Sequence, residues 1–244
     1  MKNYYDNENF FTAYSRMSRS QKGLSGAGEW EQLQPLFPDL REKTILDLGC
    51  GYGWHCNYAA EQGAAEVLGI DLSEKMIAEA QKRHSRKNIH YEVGSITDYA
   101  YPPETFDLVF SNLALHYIAD LDDIYAKVWQ TLKPGGVFLF NMEHPTFTAG
   151  VRQEWVRNEA GEAKYWPVDD YFYPGERETV FLGEAITKEH HTLTQILMGL
   201  LKIGFRLTAV EEVMPPERWR EAMPDEMRRP MMLLVRAEKE EMQR

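Results

Sequence analysis

The chain has 244 residues, 27 basic against 38 acidic side chains, a formal charge of −11, and 43% hydrophobic residues. That length suits one α/β domain with a modest elaboration, and an acidic surface repels phosphate backbones, so a nucleic-acid partner is not expected. No apolar run approaches the roughly 20 residues of a membrane span, and the polar, aromatic start MKNYYDNENFF lacks a signal core. The expectation is a cytoplasmic protein with no membrane partner, monomeric or homodimeric. Cys50 and Cys56, the two cysteines, are too few for a zinc cage or a disulfide framework, and no metal is expected.

In chain order, residues 8–35 read as helix in two pieces broken around GLSGAG. TILDLG (44–49) is an apolar run bounded by glycines, a buried strand. WHCNYAAEQGA reads as a helix ending at Gly63, and EVLGID (66–71) as a second strand. LSEKMIAEAQKRH follows as a helix, capped by Ser73, with Met76, Ile77 and Ala80 on one face. IHYEVG and FDLVFSN (106–112) are strands three and four. DLDDIYAKVWQTLKPGG is a helix capped by Asp120 with an apolar stripe at Leu121, Ile124, Tyr125, Val128 and Leu132; Pro134, Gly135 and Gly136 end it. VFLFNM (137–142) is strand five. Strands alternating with helices at this spacing predict βαβ units and a parallel sheet.

Residues 147–187 break the rhythm. DDYFYPGERETVFL predicts a hairpin around Pro174-Gly175. HTLTQILMGLLKIGF is again a helix: Thr192 and Gln195 fit a capping box, Leu193, Ile196, Leu197, Leu200 and Leu201 form its stripe, and Gly204 is its C-cap. RLTAVEEV and PMMLLVRAE close the chain as two strands, with Pro230 tolerable at a strand's first residue.

The turn after strand one, ILDLGCGYGWH (45–55), carries G-x-G-x-G preceded by Asp47. In an open parallel sheet this turn faces the ligand crevice, and bare glycine lets backbone approach a ligand closely. A pyrophosphate-binding turn has the spacing G-x-G-x-x-G, and a carboxylate is a poor neighbour for a diphosphate. Asp47 suits a ligand ammonium, and the helix N-terminus suits a ligand carboxylate. Asp71 ends strand two, where an acid can accept both ribose hydroxyls. An adenosine joined to an amino acid satisfies both ends, which is S-adenosylmethionine.

ILDLGCGYG, GIDLSEKM, FDLVFSNLALHYI and LKPGG resemble the successive motifs of class I S-adenosylmethionine-dependent methyltransferases, strongly over residues 44–142 and weakly in the closing segment. FFTAYSRMSRS, EHPTFT, HHTLTQ and RRPMMLLVRAEK are similar to small bacterial members of the methyltransferase type 11 kind. The resemblance implies an α/β fold: a Rossmann-like seven-stranded sheet of order 3-2-1-4-5-7-6, strand seven antiparallel, helices on both faces, and an inserted cover. The whole chain would be one domain, with residues 1–40 as a helical lid and 147–187 as the acceptor cover.

The resemblance places Asp47, Gly49, Cys50, Gly51 and Tyr52 at the cofactor's methionine end, with Gly53 and Trp54 beside them. Asp71 is the ribose acid, and Leu72 and Met76 flank the adenine. Ser95 and Ile96 meet its amino group; many members carry Asp where Ser95 stands, which leaves the Ile96 backbone as the contact. Asn112 and Leu113 begin a loop that closes over the cofactor and borders the acceptor.

The catalytic candidates are His116, whose ordinary pKa lies near neutrality, Glu143 and His144 past strand five, and His191, beside His190, before a helix cap. Aromatic clusters at Tyr4, Tyr5, Phe10, Phe11 and Tyr14, and from Tyr165 to Phe181, would shield the cofactor's sulfonium. The implied activity is methyl transfer to a small-molecule acceptor, because the Asn/Asp-Pro-Pro-aromatic sequence of nucleic-acid amino-methyltransferases is replaced by Ser111-Asn112-Leu113-Ala114. A non-catalytic cofactor-binding protein stays open as the alternative. A nicotinamide oxidoreductase is disfavoured by the glycine spacing.

Overall fold

The computed structural model describes residues 2–150 and 152–240. The chain opens with short helical pieces: α1 (Glu8–Ser15), α2 (Ser18–Lys22), a 3-10 turn over Gly23–Gly26, and α3 (Trp30–Leu33). The sequence suggested two longer helices. GLSGAG, poor in helix formers, splits the segment instead.

There follow β1 (Thr44–Leu48), α4 (Trp54–Glu61), β2 (Glu66–Asp71), α5 (Glu74–Arg83), β3 (Ile89–Val93), β4 (Phe106–Asn112), α6 (Leu121–Thr131) and β5 (Leu132–Glu143). A short α7 (Pro145–Thr148) leads into two small antiparallel ribbons, β6 (Val156–Arg157) with β7 (Ala163–Tyr165), and β8 (Gly175–Phe181) with β9 (Glu184–His190). The chain closes with α8 (Leu193–Ile203), β10 (Arg206–Glu212), α9 (Glu217–Arg220) and β11 (Met232–Glu238).

The main sheet runs β3-β2-β1-β4-β5-β11-β10, the expected order. Its first five strands are parallel, and β11 is antiparallel to both neighbours. Alternation along β1 sends Leu46 and Leu48 to one face and Ile45 to the other. The first face packs on α6 and α8 through buried Ile124, Tyr125, Val128, Ile196 and Leu200; the second packs on α3 and α4 through Leu33, Cys56 and Ala59. Each such leucine or isoleucine contributes about 1.5–3 kcal/mol.

The caps follow the sequence. Ser73 accepts from Met76 N–H, Asp120 from Asp123 N–H, and Thr192 with Gln195 closes a capping box. Three expectations are corrected. The hairpin turns at Leu182-Gly183, both at positive φ, and Pro174 only leads into β8. Paired positive φ values match the twist of a two-residue hairpin, but Leu in the first place gives no turn signal. Strand five starts at Leu132, not Val137: α6 stops when Leu132 turns extended, and the Pro134-Gly135 stretch rides as a bulge on β4. Leu201 is largely exposed, outside the buried stripe of α8. Among the described residues no helix is long and apolar enough to cross a membrane, and no group of three or more His, Cys, Asp or Glu is placed to hold a metal.

Candidate active site

The carboxyl ends of β1, β2, β4 and β5 open on one cavity of about 260 Å³, roofed by the N-terminal segment and by β8–β9. Its position is dictated by topology. Strand order reverses beside β1, so the loops after β1 and β4 part and leave a crevice.

The three glycines of the β1–α4 turn all have positive φ but serve different ends. A Cβ on Gly49 would lie 2.5 Å from the Ala114 Cβ, and one on Gly53 would lie 2.3 Å from the Tyr91 hydroxyl. Those two are bare for packing. A Cβ on Gly51 would meet nothing within 4 Å. Gly51 lines the cavity, and there a side chain would occupy ligand space.

Asp71 closes the same wall. Its Oδ2 accepts the Gly51 N–H at 2.9 Å and its Oδ1 accepts the Ser73 N–H at 2.9 Å. Burial raises its pKa to about 6, against the pull of those two amides. A carboxylate has about four lone-pair sites, so two remain for hydroxyl donors. Leu72, Met76 and Ile96 line the apolar slot beside it.

At the opposite end stands a group that sequence reading passed over. Arg19 lines the cavity and holds Glu29 through two bonds of 3.1 and 3.0 Å; Glu29 is fully buried. Asn112 Nδ2 donates to Glu29 at 3.1 Å, and Asn141 Nδ2 donates to Asn112 Oδ1 at 2.8 Å. Burial would raise the Glu29 carboxyl, but Arg19 outweighs it and holds the acid ionised, below its ordinary value. Nearby, Trp54 Nε1 and His55 Nε2 are buried with no partner among the described residues. Arg19, Trp54 and His55 all line the cavity, and a guanidinium beside an indole fits a ligand carboxylate. Together with the hydroxyl-ready Asp71 and the open Gly51, they fit an amino-acid nucleoside.

Leu113, next after β4, sits at φ 58°, rare for a branched residue, and its N–H is anchored on the Asn141 carbonyl at 2.8 Å. That bend points the loop across the cavity and sets His116, Tyr117 and Glu143 in its wall. His116 is buried, which lowers its pKa to about 4. Its Nδ1 accepts the Glu143 N–H at 3.4 Å, so the neutral ring carries its proton on Nε2. In this arrangement His116 offers a donor at Nε2. Glu143 Oε1 lies 2.5 Å from Lys188 Nζ, a second group absent from the sequence reading.

Several candidates fall elsewhere. Asp47 does not line the cavity. It shares the Ile45 face of β1 and is buried against the Cys56 thiol, 3.3 Å away, where burial lifts its pKa to about 7. Ser95 is also set back, its hydroxyl bonded to Thr97, while Ile96 reaches the cavity. His144 caps α7 through Thr146 N–H and its Nε2 lies 3.0 Å from Glu212. His191 Nε2 donates to the Ile118 carbonyl at 2.8 Å, and His190 bonds Thr148 and Tyr171. These three histidines brace the cover and stand outside the cavity wall. Gly49, Cys50, Gly51, Tyr52, Asp71, Leu72, Met76, Ile96, Asn112 and Leu113 all line it, as do His116 and Glu143.

The profile of the methyltransferase domain matches residues 46–140. A solved structure from Listeria monocytogenes is 50% identical and covers 90% of this chain and 100% of its own, with TM-score 0.86. This chain belongs to the class I S-adenosylmethionine-dependent methyltransferases. The S-adenosylmethionine-dependent methyltransferase of Mesorhizobium loti is 41% identical, over 88% of this chain and 100% of that one, with TM-score 0.81. An uncharacterized Haemophilus influenzae protein is 31% identical over 248 residues, 97% of each chain.

Proposed function

We propose that this methyltransferase acts on a small organic acceptor, bound between the loop after β4, the end of β5 and the β8–β9 ribbon. The observation that carries this reading is a single cavity whose reactive half is walled by Tyr5, His116, Tyr117, Glu143, Phe181 and Lys188. S-adenosylmethionine supplies an electrophilic methyl when bound. Arg19, His55 and Trp54 hold and orient its amino-acid end, Asp71 its ribose, and Leu72, Met76 and Ile96 its base. Tyr5, Tyr14 and Tyr117 exclude water. His116 keeps a proton at Nε2 and offers it as a hydrogen bond. Alignment of two bound reactants alone can supply about 7–11 kcal/mol of the barrier reduction.

Residues 1–40 serve as the lid in this reading. Asp6 Oδ1 accepts from the Ser73 hydroxyl at 2.5 Å and from Lys75 N–H at 3.2 Å, which fixes the lid over the nucleoside end. Residues 147–187 serve as acceptor cover: Tyr4 Oη accepts Thr187 N–H at 2.9 Å, so lid and cover meet. The test is incubation of the protein with methyl-labelled S-adenosylmethionine and a metabolite extract. Label is expected in a low-molecular-weight product. Tight S-adenosylhomocysteine binding with no transfer to any pool would refute the enzymatic reading.

A further inference from the structure

We infer that the methyl acceptor is a carboxylic acid with an apolar body, taken as its carboxylate and released as a methyl ester. The inference rests on the methyl-transfer reading above and concerns the same cavity.

The decisive group is Lys188 on β9, whose side chain is 4% exposed. An ammonium has three N–H donors. One goes to Glu143 Oε1 at 2.5 Å and one to Gln153 Oε1 at 3.2 Å. The third has no partner among the described residues, and Lys188 lines the cavity. The Phe181 and Phe147 rings lie 5.4 and 5.8 Å from Nζ, so the cation is shielded from water on those sides. His116 offers a second donor at Nε2. Two donors, one of them charged, thus face a space otherwise walled by Tyr5, Tyr117, Phe181 and Met231.

The acid in the same wall is bonded on both oxygens. Glu143 Oε1 receives Lys188, and Oε2 receives Gln153 Nε2 at 3.3 Å. Behind it the Arg229 guanidinium is wedged over the Phe147, Trp155 and Trp166 rings. Burial would raise the Glu143 carboxyl, but His116 and Lys188 hold it below its ordinary value. Burial also pushes Tyr5 and Tyr117 up, and their hydroxyls, 3.4 Å apart, stay protonated. Glu143, already bonded on both oxygens and held acidic by its neighbours, is a weak base, and the tyrosines are no better. An alcohol or an ammonium must lose a proton during or before transfer. A carboxylate arrives without it, and an anion is what an unpaired buried ammonium N–H binds best.

The balance is simple. A carboxylate oxygen forms the new C–O bond as the S–C bond breaks, with that electron pair passing to sulfur. No proton moves. The products are a neutral methyl ester and neutral S-adenosylhomocysteine.

The experiment supplies methyl-labelled S-adenosylmethionine with benzoate, phenylacetate and hexanoate, their matched amines and alcohols, and a metabolite extract. The expected product is alkali-labile and releases label as methanol. Label that survives alkali would overturn the carboxylate assignment while leaving methyl transfer intact. No labelled product from any source, with S-adenosylhomocysteine still bound, would sink the methyl-transfer reading and this one with it. In the variant series, Lys188→Met is expected to raise the acceptor KM at least about tenfold without altering S-adenosylhomocysteine affinity, and Lys188→Arg to recover part of it. Lys188→Met strands Glu143, so the double variant Lys188→Met/Glu143→Gln serves as the folded control. An unchanged acceptor KM in that double variant would refute the role of Lys188.

Discussion

Replacing Asp71 by asparagine tests the nucleoside end most directly. The carboxylate spends one oxygen on Gly51 N–H and the other on Ser73 N–H. It keeps capacity for two further donors on the cavity side. Bonds to a charged acceptor contribute about 1.5–3 kcal/mol each. The amide has one carbonyl oxygen, so its NH2 must face one of the two backbone donors, and it also loses the charge. S-adenosylhomocysteine affinity by calorimetry at pH 7.5 is expected to fall by at least about tenfold, or 1.4 kcal/mol.

The pH dependence sharpens the test. The pKa of Asp71 is raised to about 6 in the free protein, and hydroxyl donors prefer the ionised form. Wild-type affinity should then fall about tenfold per pH unit below 6, and the disadvantage of Asp71→Asn should shrink between pH 7 and 5. Fold stability runs the other way. A raised carboxyl pKa stabilises the free fold most below about 4, its ordinary value. That contribution is lost as pH rises through about 6. Asp47, at about 7, titrates nearby in both proteins, so the difference between them isolates Asp71. Equal affinities at pH 7.5, or a gap that does not change with pH, would refute the reasoning.

Arg19→Ala leaves Glu29 buried without its cation and should cost about 3–5 kcal/mol, seen as a lowered denaturation midpoint. Arg19→Lys should fold better yet bind S-adenosylhomocysteine more weakly, because a point charge cannot replace the planar fork. Gly51→Ala should cost only about 1–2 kcal/mol of stability for its positive φ, but most of the cofactor affinity. Gly49→Ala should show the reverse order, with the larger loss in Tm, since its methyl must displace Ala114. His191→Ala should lower Tm and leave S-adenosylhomocysteine affinity unchanged, as its bond to the Ile118 carbonyl ties the cover to the loop.

The sheet was legible because each buried strand is a short apolar run ended by turn residues, and each helix carries its own cap. That the glycine turn and Asp71 line one cavity was legible because each sits at the carboxyl end of an easily read strand. Asp47 misled because a strand residue's face is set by register, and β1 sends that side chain behind the wall beside Cys56. Arg19 and Glu29 lie in a segment with no regular period, and nothing local marks them as partners. Lys188 shares one face of β9 with buried Ile186 and His190, an alternation visible in TKEH only once the strand is known. His116 was placed correctly in the wall, yet its tautomer depends on an amide 27 residues away.

The clasp of Tyr4 on Thr187 joins the two ends of the active-site roof through one hydroxyl. The Phe10 and Phe181 rings, 5.8 Å apart, add a second contact between the same two segments. A bulky fusion ahead of Tyr4 is expected to disturb these contacts and slow turnover before it harms the fold. On the proposed acceptor site, substitutions in the ribbon are expected to change acceptor choice while S-adenosylhomocysteine affinity stays as it is.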